Sequence, residues 1–159
     1  MRDATSPYKA TSGLYLLDTN ILVQYVRGSF LKEKIEAAYS LMTAELAPLI
    51  SYVTEAEIRS LASQWDWGAQ KRKDLDFLLT LFRRVPIEDS QGEIMQAYVL
   101  IDAVSTTLGY DMGKNDLWIA ATARVITATL LTTDKDFDHL AGTFLSRTWI
   151  SPEGITGAT

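Results

Sequence analysis

Short unbroken apolar runs alternate along this chain with longer stretches whose apolar positions recur at helical spacing. Leu14 to Leu17 reads as a strand, followed by the first turns of a helix over residues 21–26 that ends near Gly28. Residues 30–46 carry Leu31, Ile35, Ala38, Leu41, Met42 and Leu46 at helical spacing and predict a second helix. The apolar, partly β-branched run APLISYV (47–53) predicts a buried strand, and residues 54–63 a helix. A break over 64–74 around Gly68 leads into LDFLLTLFRRV, helical at first and then the short strand RVPI. Ser90 opens a long helical pattern with Ile94, Ala97, Tyr98, Ile101, Val104 and Leu108 on one face and Gly109 as its stop. Residues 115–128 predict a further helix, TLLTTD a strand, KDFDHLAG a short helix closed by Gly142, and TFLSRTWIS a last strand.

Strands alternating with helices imply an α/β fold with a mainly parallel sheet and helices on both faces. No internal repeat or linker divides the chain. The reading is a polar N-terminal extension over 1–13, a single domain over 14–151 and a C-terminal tail over 152–159. At 159 residues the chain can bury a substantial core.

Composition narrows the chemistry. The chain has no cysteine and one histidine, His139, which excludes disulfides, thiolate metal sites, thiol nucleophiles and a multi-histidine metal site within one chain. Absence of cysteine fits a reducing compartment, no apolar run is long enough for a membrane span, and the opening MRDATSPYKATSG has no secretory h-region. A cytoplasmic protein without membrane attachment is the expectation. The net charge of −5 gives no general attraction for nucleic acid, so phosphate would need cations to approach.

The acids are placed unevenly. Asp18 follows LYLL, Glu57 lies one turn past LISYV, Asp134 and Asp136 follow TLLTT, and Asp116 opens a helix. In a parallel sheet the carboxyl ends of the strands share one edge, so these side chains can converge there. A local role is open to each. Asp18 can cap its helix, Thr54-x-x-Glu57 matches a capping box, Asn115 can be an N-cap with Asp116 in the first turn, and Asp134 can cap the turn after it. If they converge, two carboxylates about 4 Å apart repel by about 4 kcal/mol at an effective dielectric near 20. Such a cluster needs protons or a hard cation, and an all-oxygen donor set favours Mg²⁺ or Mn²⁺. Ala120, Ala121 and Ala123 would let the helix behind Asp116 approach the sheet closely.

LLDTNILV, SYVTEAEI, NDLWIAATA and LLTTDKDF, in that order, resemble the PIN-domain family, and within it the VapC-type toxin ribonucleases of bacterial toxin–antitoxin pairs. The resemblance spans about residues 14 to 140. It implies a three-layer α/β/α sandwich with a short, mainly parallel sheet, and RNA cleavage with Mg²⁺ or Mn²⁺. It implies Asp18, Glu57, Asp116, Asp134 and Asp136 as catalytic acids, with Asp18, Asp116 and Asp134 as metal ligands. Asn20 and Thr133 fall where the family has polar residues that orient the site. A homodimer and an antitoxin that blocks the acids with an arginine are implied as partners.

Lys71, Arg72 and Lys73, and Arg83 with Arg84, form the basic clusters. The first is a candidate RNA contact, although a solvated helix face explains either. Trp65 and Trp67 beside it can stack on bases or form an apolar partner contact. His139 reads as a surface side chain at a helix end. Two other classes compete with the nuclease: a Mg²⁺-binding phosphoacceptor domain of the receiver kind, with Lys135 as its strand-end lysine, and a catalytically inert PIN-like binding module.

Overall fold

Adjacent leucines in the central strands point to opposite faces, and this splits the core in two. The computed structural model describes residues 13–153, so the predicted extension and tail lie outside the described residues except for Gly13, Pro152 and Glu153. Strands β1 (Tyr15–Leu17), β2 (Leu49–Ser51), β3 (Arg83–Val85), β4 (Thr129–Thr132) and β5 (Ser146–Trp149) form one sheet in the order β3-β2-β1-β4-β5. Every pairing is parallel, with Leu16 opposite Leu49 and Leu130. Leu17, Ile50 and Leu131 face one apolar cluster while Leu16, Leu49 and Leu130 face the other.

Helices α1 (Thr19–Arg27), α2 (Phe30–Tyr39), α3 (Tyr52–Gln64) and α4 (Ala69–Leu81) cover the first face with Ile21, Ile35, Ile58 and Leu79. Helices α5 (Glu93–Thr107) and α6 (Lys114–Ile126) cover the second with Ile94, Ile101, Ile119 and Ala120. The result is the expected three-layer sandwich. Ala120, Ala121 and Ala123 are fully buried, so the α6 backbone lies close to its neighbours as the alanines predict. Among the described residues, no helix is long and apolar enough to cross a membrane.

Element edges moved where local backbone chemistry outweighed periodicity. The helix expected over 30–46 stops at Tyr39, because Ser40 turns left-handed at φ 49° and Leu41 then packs into the core from a loop. Helix α3 starts at Tyr52, two residues before the expectation, capped by the Ser51 hydroxyl accepting from the Val53 N–H at 3.1 Å. The break expected over 64–74 is shorter, since α4 begins at Ala69 and takes Lys71, Arg72 and Lys73 into its first turns. Helix α1 ends as predicted at Gly28, whose φ of 62° suits a residue without a side chain.

Candidate metal centre

Strand order alone marks a crevice. From β1 the chain moves outward to β2 and β3 and then returns to place β4 on the other side of β1, so the sheet changes direction between β1 and β4. Ligand sites in open parallel sheets form at the strand carboxyl ends at such a point. Asp18 follows β1 and Asp134 lies just beyond β4.

Asp18 does locally what its sequence allows, and more. One oxygen caps α1 by accepting from the Thr19 N–H at 2.7 Å. The other accepts from the Thr132 hydroxyl at 2.6 Å, a bond across the switch point between residues 114 apart in sequence. The same hydroxyl oxygen accepts from the Asp134 N–H at 2.9 Å. Thr132 therefore ties two acids from different strands together. Asp134 Oδ1 in turn accepts from the Asp136 N–H at 2.9 Å, which curls the segment after β4 back toward the crevice.

Helices supply the remaining acids. Gly113 is the N-cap residue of α6, which puts Asp116 in the first turn rather than behind an Asn115 cap. The Asn115 amide instead donates to Glu57 Oε2 at 3.1 Å and links α6 to α3. Glu57 thus takes no part in the capping box that its spacing allowed, and Ser51 does the capping. Asp116, Asp134 and Asp136 each offer an oxygen within 4.8 Å of the others. Glu55, two residues earlier, faces elsewhere and is neutralised by Arg59 at 3.0 Å and Arg84 at 3.1 Å.

The electrostatics match the crowding. Asp18 is pushed up from the ordinary 3.8 to about 6, chiefly by burial, with the Thr132 and Thr19 bonds opposing and the charges of Glu57 and Asp134 adding to the rise. Asp116 is pushed up to about 7, again chiefly by burial, then by the charges of Asp18, Asp134, Glu57 and Asp136. Asp136 is raised by burial and by Asp134. All five acids singled out in the sequence therefore act on one another. None joins an ion pair among the described residues. Lys135 places its ammonium over the Trp149 ring, 4.7 Å from the centroid, rather than on the acids. Carboxylate oxygens without a protein cation, held close and partly dehydrated, fit a hard divalent ion.

Of the supporting residues, Asn20 is exposed in the first turn of α1. The Thr133 carbonyl accepts from the Trp149 indole N–H at 3.0 Å, and the hydroxyl that donates to Asp18 is that of its neighbour Thr132. A buried polar residue closing an apolar strand needs a partner, and that was the available signal. Arg72 donates to the carbonyls of Trp67 and Ala62, at 2.8 and 3.1 Å, and fastens α4 to the C-terminal end of α3. Lys71 and Lys73 are exposed beside it. Trp67 is buried in the core, while Trp65 is half exposed beneath the Arg27 guanidinium. His139 is not the loose surface group expected: it is partly buried, stacks on Tyr110 and hydrogen-bonds Ser105.

A family model for the PIN domain matches residues 15–143. No curated protein matches the chain. Among solved structures, VapBC2 from Rickettsia felis, bound to a DNA fragment from its promoter, is similar with a TM-score of 0.71 and 23% identity, covering 84% of this chain and 98% of that one. FitAcB from Neisseria gonorrhoeae is similar at 27% identity and a TM-score of 0.62, covering 77% and 88%. VapBC-5 from Mycobacterium tuberculosis, a member of the VapBC family of toxin–antitoxin systems, is similar at 22% and 0.61, covering 87% and 99%.

Proposed function

The chain belongs to the PIN-domain family, and from that premise we propose that it is a Mg²⁺- or Mn²⁺-dependent endoribonuclease, the toxin of a toxin–antitoxin pair. The observation that carries the reading is the grouping of Asp116, Asp134 and Asp136 at one sheet edge, with Asp18 bonded in through Thr132 and Glu57 near enough for its charge to act. None of the five makes an ion pair among the described residues. The expected ligands were Asp18, Asp116 and Asp134. The closeness of Asp116, Asp134 and Asp136 supports Asp136 as the third ligand, because both Asp18 oxygens already accept hydrogen bonds and Asp18 then completes the negative wall. When bound, such an ion supplies a water of lowered pKa and a positive charge against the phosphorane.

The chain's own residues do the rest. Thr132 holds Asp18 and positions the backbone of Asp134, which keeps the ligand oxygens aimed at the crevice. Glu57 has one oxygen fixed by Asn115 and the other available to accept a proton from the attacking water. Attack by water leaves a 5′-phosphate and a 3′-hydroxyl. No histidine is needed, and His139 is engaged elsewhere. A receiver-like role is not favoured, because Lys135 rests on Trp149 and such a domain has no use for Glu57 and Asp116.

An RNA substrate implies a cytoplasmic location. The acid cluster would accept an arginine from an antitoxin through charge-assisted bonds, in the place the metal otherwise takes. Met95, Val99 and Leu100 leave apolar surface exposed on α5, which supports a homodimer; light scattering measures it directly. Lys71 and Lys73, exposed on α4, stay in the reading as a phosphate contact, while Arg72 is engaged with the Trp67 and Ala62 carbonyls.

The test is digestion of mixed cellular RNA with Mg²⁺ or with EDTA, comparing the native chain with Asp116→Ala. Cleavage that needs metal and disappears in the variant supports the reading; undiminished metal-dependent cleavage by the variant refutes the role of Asp116.

A further inference from the structure

Tyr110 is held rigidly without being buried. It lies in the loop between α5 and α6, where Gly109 at φ 84° turns the chain so that the Tyr110 N–H donates to the Ser105 carbonyl at 2.8 Å. Its ring stacks on the His139 imidazole with centroids 4.1 Å apart and planes 8° from parallel. His139 is itself fixed, since Nε2 lies 2.8 Å from the Ser105 hydroxyl, which is fully enclosed and also reaches the Met112 sulfur at 3.2 Å. Even so, 51% of Tyr110 stays open to solvent. Core packing does not explain a ring braced on one face and exposed over the rest.

Its neighbours give the location. His139 follows Asp136 by one turn of chain, and the Asp136 carboxylate is close enough for its charge to act on the imidazole. The Tyr110 loop runs through Gly113 straight into the first turn of α6, which carries Asp116. Both sides of the stack therefore lead to acids of the crevice. A net charge of −5 gives no general attraction for a nucleic acid, so a contact that does not depend on charge is of use near those acids. Stacking supplies one for any base, because every base has a π-face.

We propose that Tyr110, braced by His139, is a stacking platform for an unpaired nucleobase of the RNA beside the acid cluster. The proposal rests on the ribonuclease reading above. A base inside a duplex is already stacked between its neighbours and reaches an external ring only after being extruded, so paired RNA gains nothing from the platform.

Binding is measured by fluorescence anisotropy with a short labelled single-stranded RNA, in protein carrying Asp116→Asn so that the probe stays intact. Adding Tyr110→Ala is expected to weaken binding about five- to a hundredfold, while Tyr110→Phe holds it within about twofold. A probe set carrying one abasic nucleotide at each position in turn identifies the stacked base. On the abasic probe that binds worst, Tyr110→Ala should cost nothing further, and on an RNA duplex whose ends are covered by stacked non-nucleotide caps it should cost nothing at all. Unchanged binding of single strands by Tyr110→Ala overturns the platform, as does an equal loss on intact, abasic and duplex probes, which would mark a merely structural role. If the native chain still cuts RNA with metal while either result is found, the platform alone falls. If the native chain neither binds nor cuts RNA, the ribonuclease reading falls and takes the platform with it.

Discussion

Raising the pH of the metal-free protein from 5 to 7.5 forces charge onto carboxyls that the fold has partly dehydrated. Asp18 carries this most clearly because it is buried. Its folded pKa of about 6 lies above the ordinary 3.8 it regains on unfolding, so the folded state holds the proton more tightly. The associated stability is complete below pH 3.8 and is lost as the pH rises through 6. Asp18 alone contributes about 3 kcal/mol over the whole window, and about half of it disappears between pH 5 and 7.5. Asp116, pushed up to about 7, works in the same direction, and the cluster titrates as a coupled set. For a chain of this size, a loss of about one to two kcal/mol corresponds to a fall in melting temperature of roughly 2–8 °C. Mg²⁺ at about a hundred times its Kd returns about 2.7 kcal/mol at pH 7.5, and much less at pH 5, where protons compete for the same oxygens. The assay is thermal unfolding by circular dichroism in EDTA and in Mg²⁺, across that range. Asp18→Asn should flatten the EDTA profile. Because His139, held below its ordinary pKa by burial, gains stability over the same range, the quantity read is the difference between the native chain and Asp18→Asn. A difference in EDTA that does not change between pH 5 and 7.5, or no gain from Mg²⁺ at pH 7.5, would refute a crowded carboxylate site.

Other perturbations separate the parts of the site. Thr132→Val removes the hydroxyl shared by Asp18 and Asp134 and should weaken Mn²⁺ binding about 10- to 100-fold by calorimetry, whereas Thr133→Val should change it little. Asp116→Asn should lower cleavage of a fluorogenic RNA by more than about a hundredfold while leaving circular dichroism unchanged. Phe137 is fully buried beneath the acids, so Phe137→Ala should cost about 3–5 kcal/mol in urea unfolding.

How far the sequence could be read depended on whether a feature is decided locally. The apolar runs at 14–17 and 129–132 predicted strands, and the structure buries them on both faces because the adjacent leucines at 16–17 and 130–131 each supply one side chain to each core. The acids at 18, 57, 116, 134 and 136 were legible because a parallel sheet brings strand ends together whatever their distance in sequence. What escaped was decided by partners remote in sequence or by single backbone turns. Leu41 and Met42 continue the helical spacing of residues 30–39, yet the left-handed Ser40 ends the helix while Leu41 is buried all the same. Periodicity cannot tell these two ways of burying one leucine apart. Thr132 and Thr133 are chemically alike, and only the register of β4 against β1 decides which hydroxyl meets Asp18. Arg72 looked like a solvated cation because its acceptors, the carbonyls of Trp67 and Ala62, carry no side-chain signature.

The insertion of β4 beside β1 ties any activity to the order of synthesis. A chain emerging from the ribosome presents Asp18 early, but the strand that completes its edge, with Thr132 and Asp134, is made more than a hundred residues later. Until then the pocket has one wall, and the acids needed to hold an ion are still inside the exit tunnel or not yet translated. On the ribonuclease reading, a growing polypeptide of this design would be unable to attack the message that encodes it, and the hazard would begin only when the last third of the protein is free to fold.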